Sequence, residues 1–123
     1  MRGAPQFLEF VRLPTFERQA KGLMTEDDVS RVEEVLVQYP AAGTVIAGTG
    51  GVRKLRYALG GRGKSGGVRI IYYHRSVKGR LYLVTVYAKY QKEDLTDAER
   101  NAMKQVTKAL DGEAWWLRIR TAP

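Results

Sequence analysis

The stretch Ala58-Leu-Gly-Gly-Arg-Gly-Lys-Ser65 carries the glycines, lysine and serine of a relaxed phosphate-binding P-loop. That chemistry needs a strand turning straight into a helix whose first N–H groups face the phosphates. Here Ser65 is followed by Gly-Gly and then Val-Arg-Ile-Ile-Tyr-Tyr, which opens a strand instead. No strand ends in an acidic Mg²⁺ ligand. The loop therefore reads as a hairpin tip that carries Arg62 and Lys64 towards a nucleic acid, not as a nucleotide cradle.

The cations around it have an uneven distribution. Net charge is +8, yet residues 35–92 contain eleven Lys/Arg and not one Asp or Glu. Scattered solvated charge does not leave so long a run without an acid, and a polyanion is the natural partner. Tyr57, Tyr72, Tyr73, Tyr82, Tyr87 and Tyr90 are interleaved with these bases. Some are strand core; others suit stacking on the unpaired bases of single-stranded RNA. Strand alternation puts Lys54 and Arg56 on one face and Leu55 and Tyr57 on the other. A face with two lysine or arginine heads resists burial, so it is expected to stay open, with Arg69, Lys89 and Lys92 converging on it. Arg53 adds to the same basic strand. A solvated basic face without chemistry accounts for the composition equally well.

Other classes fall away. The chain has no cysteine and His74 is its only histidine, which excludes disulfides, thiolate or multi-histidine metal sites and a histidine-based triad. His74 alternates away from Arg69 and reads as structural. The first ten residues lack the apolar core of a signal peptide, and the longest apolar stretch, around Leu81–Ala88, is far too short for a membrane helix. The expectation is a cytoplasmic protein with no cofactor and no membrane contact.

The elements that would hold these residues follow from periodicity. Phe7–Leu13 reads as a strand, and Thr15–Lys21 as a short helix or turn closed by Gly22. Thr25 and Asp28 have the spacing of a capping box, and Val29, Val32, Val35, Leu36 and Tyr39 form a helical stripe that Pro40 ends. Val52–Leu59, Val68–Arg75 and Leu81–Tyr90 read as consecutive antiparallel strands. Thr96 and Glu99 cap a last helix buried through Ala102, Met103, Val106, Ala109 and Leu110, and Gly112 ends it. The order β-α-α-β-β-β-α predicts an α+β fold, an antiparallel sheet with helices packed on one face. Residues 1–112 form the domain and 113–123, with Trp115 and Trp116, a tail.

Three motifs carry a resemblance: Arg53-Lys-Leu-Arg56, the glycine–lysine loop running into Gly-Gly-x-Arg69-Ile-Ile-Tyr-Tyr, and Tyr87-x-Lys89 followed by Asp94-Leu-Thr96. In this combination the chain resembles the RelE/ParE toxin superfamily over about residues 7–111, and within it the HigB-like branch of RelE toxins. The resemblance implies a compact RelE-like fold. It also implies the toxin of a type II toxin–antitoxin pair, which cleaves mRNA in the ribosomal A site and is silenced by a cognate antitoxin, a helix-turn-helix protein of HigA type. Cleavage by attack of the RNA's own 2′-OH needs a base, stabilisation of the phosphorane and an acid for the leaving 5′-oxygen, and no metal. By the resemblance Arg69 stands at the family's active-site arginine. Lys54 and Arg56 match its basic strand, with Lys54 as candidate base, and Lys89 lies in its C-terminal basic cluster. Arg53, Arg62, Lys64, Tyr90 and Lys92 are expected to contact RNA. Where the best-known member has a further arginine and a tyrosine, this chain offers Tyr90 and Thr96, so the acid has no assigned residue. Two other readings remain: a gyrase inhibitor like ParE, and a non-catalytic basic nucleic-acid-binding domain. The cations of Lys54, Arg56 and Arg69 are expected to form an unneutralised cluster.

Overall fold

Four of the five strands lie between residues 44 and 88. The structure, a computed structural model, describes residues 8–59, 67–75 and 79–112. The elements are β1 (Glu9–Arg12), α1 (Pro14–Ala20), α2 (Glu26–Gln38), β2 (Thr44–Val45), β3 (Arg53–Tyr57), β4 (Val68–Arg75), β5 (Arg80–Ala88) and α3 (Asp97–Asp111). The α+β class and the five-stranded sheet agree with the RelE-like fold expected above, and the sheet runs β1-β5-β4-β3-β2. Arg62 and Lys64 at the hairpin tip and the tail from 113 onward lie outside the described residues.

Local chemistry sets the helix ends as the spacing predicts. Thr25 Oγ1 accepts from the Asp28 amide at 3.0 Å, and Asp28 Oδ2 accepts from the Thr25 amide at 2.9 Å. Thr96 and Glu99 repeat the arrangement at 3.1 and 2.9 Å. Each box satisfies two N–H groups that a helix start leaves without partners. Val29, Val32 and Leu36 are the buried stripe of α2, while Val35 and Tyr39, assigned to it from spacing, are exposed.

The central strands pair antiparallel, as expected. β3 and β4 align Lys54 with Ile71 and Arg56 with Arg69, and β4 and β5 align Arg69 with Tyr87. A register shift follows: Ile71 faces Thr85 but Tyr72 faces Leu83, so Val84 is the extra residue of a β-bulge. Three features refine the predicted order. The short β2 pairs antiparallel with β3 at the sheet edge. β1 pairs parallel with β5, so the sheet is mixed rather than wholly antiparallel. A parallel neighbour requires a crossover connection, and the chain between them, with α1 and α2, supplies it. The last β-strand ends at Ala88, which puts Tyr90 in the turn beyond it.

Side-chain alternation divides the core in two. Val68, Ile70, Tyr72, Leu81, Leu83 and Val86 pack with Phe16 and Ala20 of α1 and Val29, Val32 and Leu36 of α2. On the opposite face Ile71, Tyr73, Tyr82, Val84 and Tyr87 pack with Leu95 and, from α3, Leu110, Met103 and Val106. The stripe of α3 also includes Thr107, buried at 2% exposure, in place of Ala102 and Ala109. Thr107 sits there because its hydroxyl lies 3.0 Å from the Thr49 carbonyl, which meets its hydrogen-bonding need inside the core. Tyr72, wholly buried, donates to the Pro40 carbonyl at 2.7 Å and accepts from the Gly43 amide at 2.8 Å. That approach needs Gly43: a Cβ there would lie 2.8 Å from the Tyr72 ring and 2.9 Å from the Lys54 carbonyl.

Tyr73 ties the end of α3 to the sheet by a 2.6 Å hydrogen bond to Asp111 Oδ1. Burial, and then the carboxylate beside it, push the Tyr73 phenol up to about 12. The sign follows by linkage. Above about pH 10 the unfolded chain has lost a proton that the folded chain still holds, so stability falls as pH rises from there through 12. Urea midpoints between pH 9 and 12 should fall more steeply for the wild type than for Tyr73→Phe, by up to about 2 kcal/mol in stability. Parallel slopes would show that Tyr73 does not carry this dependence.

Candidate nucleic-acid interface

The face that α3 covers at one end is the face that carries the predicted cations at the other. Lys54 and Arg56 project from it on β3 and Arg69 from it on β4, while Lys89 stands just past the end of β5, where its amide bonds to the Gly67 carbonyl at 3.0 Å. Arg56, Arg69 and Tyr87 lie side by side across three strands. Like charges directly opposite one another in a sheet are destabilising, so Arg56 facing Arg69 works against the fold unless an anion comes between them.

A cleft of about 280 Å³ is lined by Arg56, Tyr57, Ala58, Gly67, Arg69 and Lys89. A second, of about 390 Å³, is lined by Ala42, Thr44, Lys54, Leu55 and Arg56. Arg56 belongs to both, so the cations form one strip. A larger cleft, about 490 Å³, lies elsewhere, between α1, β5 and α3. Its lining is chiefly apolar, and Lys92, its lysine, is held by Glu99. Size does not mark the site here; charge and unmet hydrogen-bonding capacity do.

Arg69 is the unusual member. The open face predicts an exposed side chain, but Arg69 is 4% exposed. Among the described residues its buried Nε has no hydrogen-bond partner, and its ion pair from Nη2 to Glu93 Oε1 is long at 3.4 Å. A guanidinium in that position has donors to spare, in a setting where an unmet donor costs about 1–3 kcal/mol. It fits the fork of hydrogen bonds that a phosphate accepts.

The expectation of an unneutralised cluster is corrected. Lys54 Nζ bonds to Asp94 Oδ1 at 2.5 Å and to the Glu93 carbonyl at 3.3 Å, and Arg69 pairs with Glu93. The physical reason is chain path: the acid-free run ends at Lys92, and the next two residues fold back over the strands. Neutralisation is partial. Among the described residues Arg56 and Lys89 have no carboxylate partner, and both are exposed. The sequence alone assigns no role to Glu93 and Asp94; the signals are their place as the first acids after the basic run and Asp94's place in the Asp94-Leu-Thr96 motif. Asp94's carboxyl is held below the usual range by the hydrogen bond and charge of Lys54. Lys54 therefore stands here as a donor to a carboxylate, and service as a base requires it to leave Asp94.

The other predicted residues scatter. Arg53 faces the opposite side, where its guanidinium donates to the carbonyls of Gly43 at 2.7 Å and Ala41 at 3.3 Å. It is not part of the strip. Lys92 turns towards Glu99 and lies 4.9 Å over the Tyr87 ring. Tyr90 is 77% exposed, which rules out a core role and leaves its ring free to stack. His74 is lowered by burial and then by the charge of Arg53, on the far side from Arg69. Among the described residues no helix is long and apolar enough to cross a membrane.

A family model described as the RelE toxin of the RelE/RelB toxin–antitoxin system matches residues 13–114, a range that contains α1, α2, all of β2 to β5, α3 and the whole cationic strip. The chain belongs to the RelE toxin family.

Proposed function

We propose that this toxin is an endoribonuclease of the HigB-like branch that cuts mRNA in the ribosomal A site. One observation carries the reading: a buried arginine, Arg69, has an unpartnered donor and lines a cleft with Arg56 and Lys89. Such a cluster of cations suits a single tetrahedral anion flanked by further phosphates, as a single RNA strand presents them.

The RNA's 2′-oxygen attacks the adjacent phosphorus as its proton passes to a base. The P–O5′ bond then breaks as the 5′-oxygen takes a proton, leaving a 2′,3′-cyclic phosphate and a 5′-hydroxyl. Negative charge builds on the equatorial oxygens between these events. Arg69 meets that charge with donors held in place by the burial of its own side chain, so they need little reorganisation as the charge develops. Arg56 binds the scissile or neighbouring phosphate from the solvent side. Lys89, an exposed ammonium on the same cleft, offsets charge on the leaving oxygen. Lys54, once free of Asp94, is the candidate base. Tyr90 stacks on a base beside the cut, and Arg62, Lys64 and Lys92 are further candidate contacts. No step needs a metal. A cognate antitoxin, of helix-turn-helix HigA type in this reading, silences the toxin.

Brief induction followed by mapping of mRNA 5′ ends tests this. Cuts inside translated reading frames, lost when translation is blocked, are expected. DNA-damage signalling without mRNA cleavage would instead identify a ParE-like gyrase inhibitor. RNA binding with neither effect would identify a non-catalytic binding domain.

A further inference from the structure

We infer that Glu93 and Asp94 are a built-in competitor for RNA phosphate, a carboxylate latch that sets how readily the cationic strip accepts a strand. The inference rests on the proposal that RNA occupies this strip.

The placement is specific. After a run without a single Asp or Glu, the next acids of the chain are these two, and they land on the two innermost cations of the strip. Asp94 reaches Lys54 at 2.5 Å and Glu93 reaches Arg69 at 3.4 Å, so consecutive carboxylates span a pair of cations that consecutive anionic groups of a strand would otherwise bridge.

The segment is pinned at both ends. The Gln91 amide bonds to the Ala88 carbonyl at 3.0 Å, and the Gln91 side chain accepts from the Ala88 amide at 2.9 Å. The Tyr87 hydroxyl donates to the Glu93 carbonyl at 3.2 Å, and Leu95 is buried just before the Thr96 cap. Between the pins the carboxylate side chains of Glu93 and Asp94 are 62% and 70% exposed, while their partners Arg69 and Lys54 are 5% and 16% exposed. The backbone is therefore fixed and the acidic heads can swing out into water. Ion pairs with one exposed partner are weak and easily exchanged. A phosphate that arrives already held in place can displace them; a loosely diffusing strand must compete for each one.

Binding of a short single-stranded RNA, made uncleavable by 2′-deoxy substitution, tests this by fluorescence anisotropy at fixed salt. The Glu93→Gln/Asp94→Asn double variant should bind about tenfold more tightly than the wild type, as two weak pairs and the charge they screen are removed together. Asp27→Asn/Glu34→Gln makes the same change in net charge on exposed positions of α2 and should tighten binding about twofold or less. Arg69→Ala should weaken it. If Arg69→Ala weakens binding but the Glu93/Asp94 variant matches the wild type or the α2 control, the latch is overturned and the RNA site stands. If Arg69→Ala binds as well as the wild type, RNA does not use this strip, and the proposed site fails together with the latch.

Discussion

Arg69→Ala should lower mRNA cleavage by about 10²- to 10³-fold, the usual loss when a fixed donor to transition-state charge is removed, and should restore growth to cells expressing the toxin. The companion variant Arg69→Met separates chemistry from structure. A buried ion with unmet donors contributes little to the fold, and replacing such a group with an apolar one of similar volume is often neutral or stabilising by about 1–4 kcal/mol. Arg69→Met should therefore be as inactive as the alanine variant yet melt at the wild-type temperature or above. Arg69→Lys keeps the charge but loses the planar fork, and should fall between the wild type and the alanine variant in activity. Full cleavage by Arg69→Ala, or a large fall in melting temperature for Arg69→Met, would make Arg69 a structural residue.

The largest effect on stability is expected at the other face. Phe16, the wholly buried aromatic of the short helix α1, packs in the core cluster with β4, β5 and α2. Phe16→Ala removes the ring and leaves a cavity that the sheet behind it is too rigid to fill, so the cost should be about 3–5 kcal/mol. Against a total of about 5–15 kcal/mol for a typical domain, that is enough to leave the protein marginal at growth temperature. Urea unfolding should show a much lower midpoint with an unchanged slope. A loss below about 1 kcal/mol would mean that α1 is not an integral layer of the core.

What the sequence allowed and withheld divides along the range of the interactions. Helix caps are local: Thr25 with Asp28, and Thr96 with Glu99, lie three residues apart, and both boxes form as spacing predicts. Strand faces are also local, which is why Lys54 and Arg56 could be placed on one face from alternation, whereas Arg69 joins them through the β3–β4 register. The features that were not legible each depend on a distant partner. β2 is two residues long and is defined only by its pairing to β3. The parallel β1–β5 contact joins segments some 70 residues apart, with Glu9 beside Arg80. The bulge at Val84 is a property of register, not of composition. Thr107 replaces the alanines in the core of α3 because the Thr49 carbonyl, far away in sequence, is there to receive it.

The candidate site divides in the same way. Residue types and alternation gave the strip, but not the burial of Arg69, which depends on what packs around it. The path of residues 91–95 decided that Glu93 and Asp94 would lie on the cations, and no periodicity encodes that path. Arg53 shows the reverse case: its charge and its place in the basic strand point to RNA, while its face and the carbonyls of Ala41 and Gly43 engage its guanidinium away from the strip.

The central claim is that the spare donors of buried Arg69 receive an RNA phosphate. ¹⁵N spectra of the arginine Nε–H groups, recorded while an uncleavable single-stranded RNA is titrated in, address it directly. The Arg69 Nε–H resonance should shift saturably, while that of Arg53, already committed to backbone carbonyls, stays unmoved. An Arg69 resonance that stays in place while the RNA binds would contradict the claim.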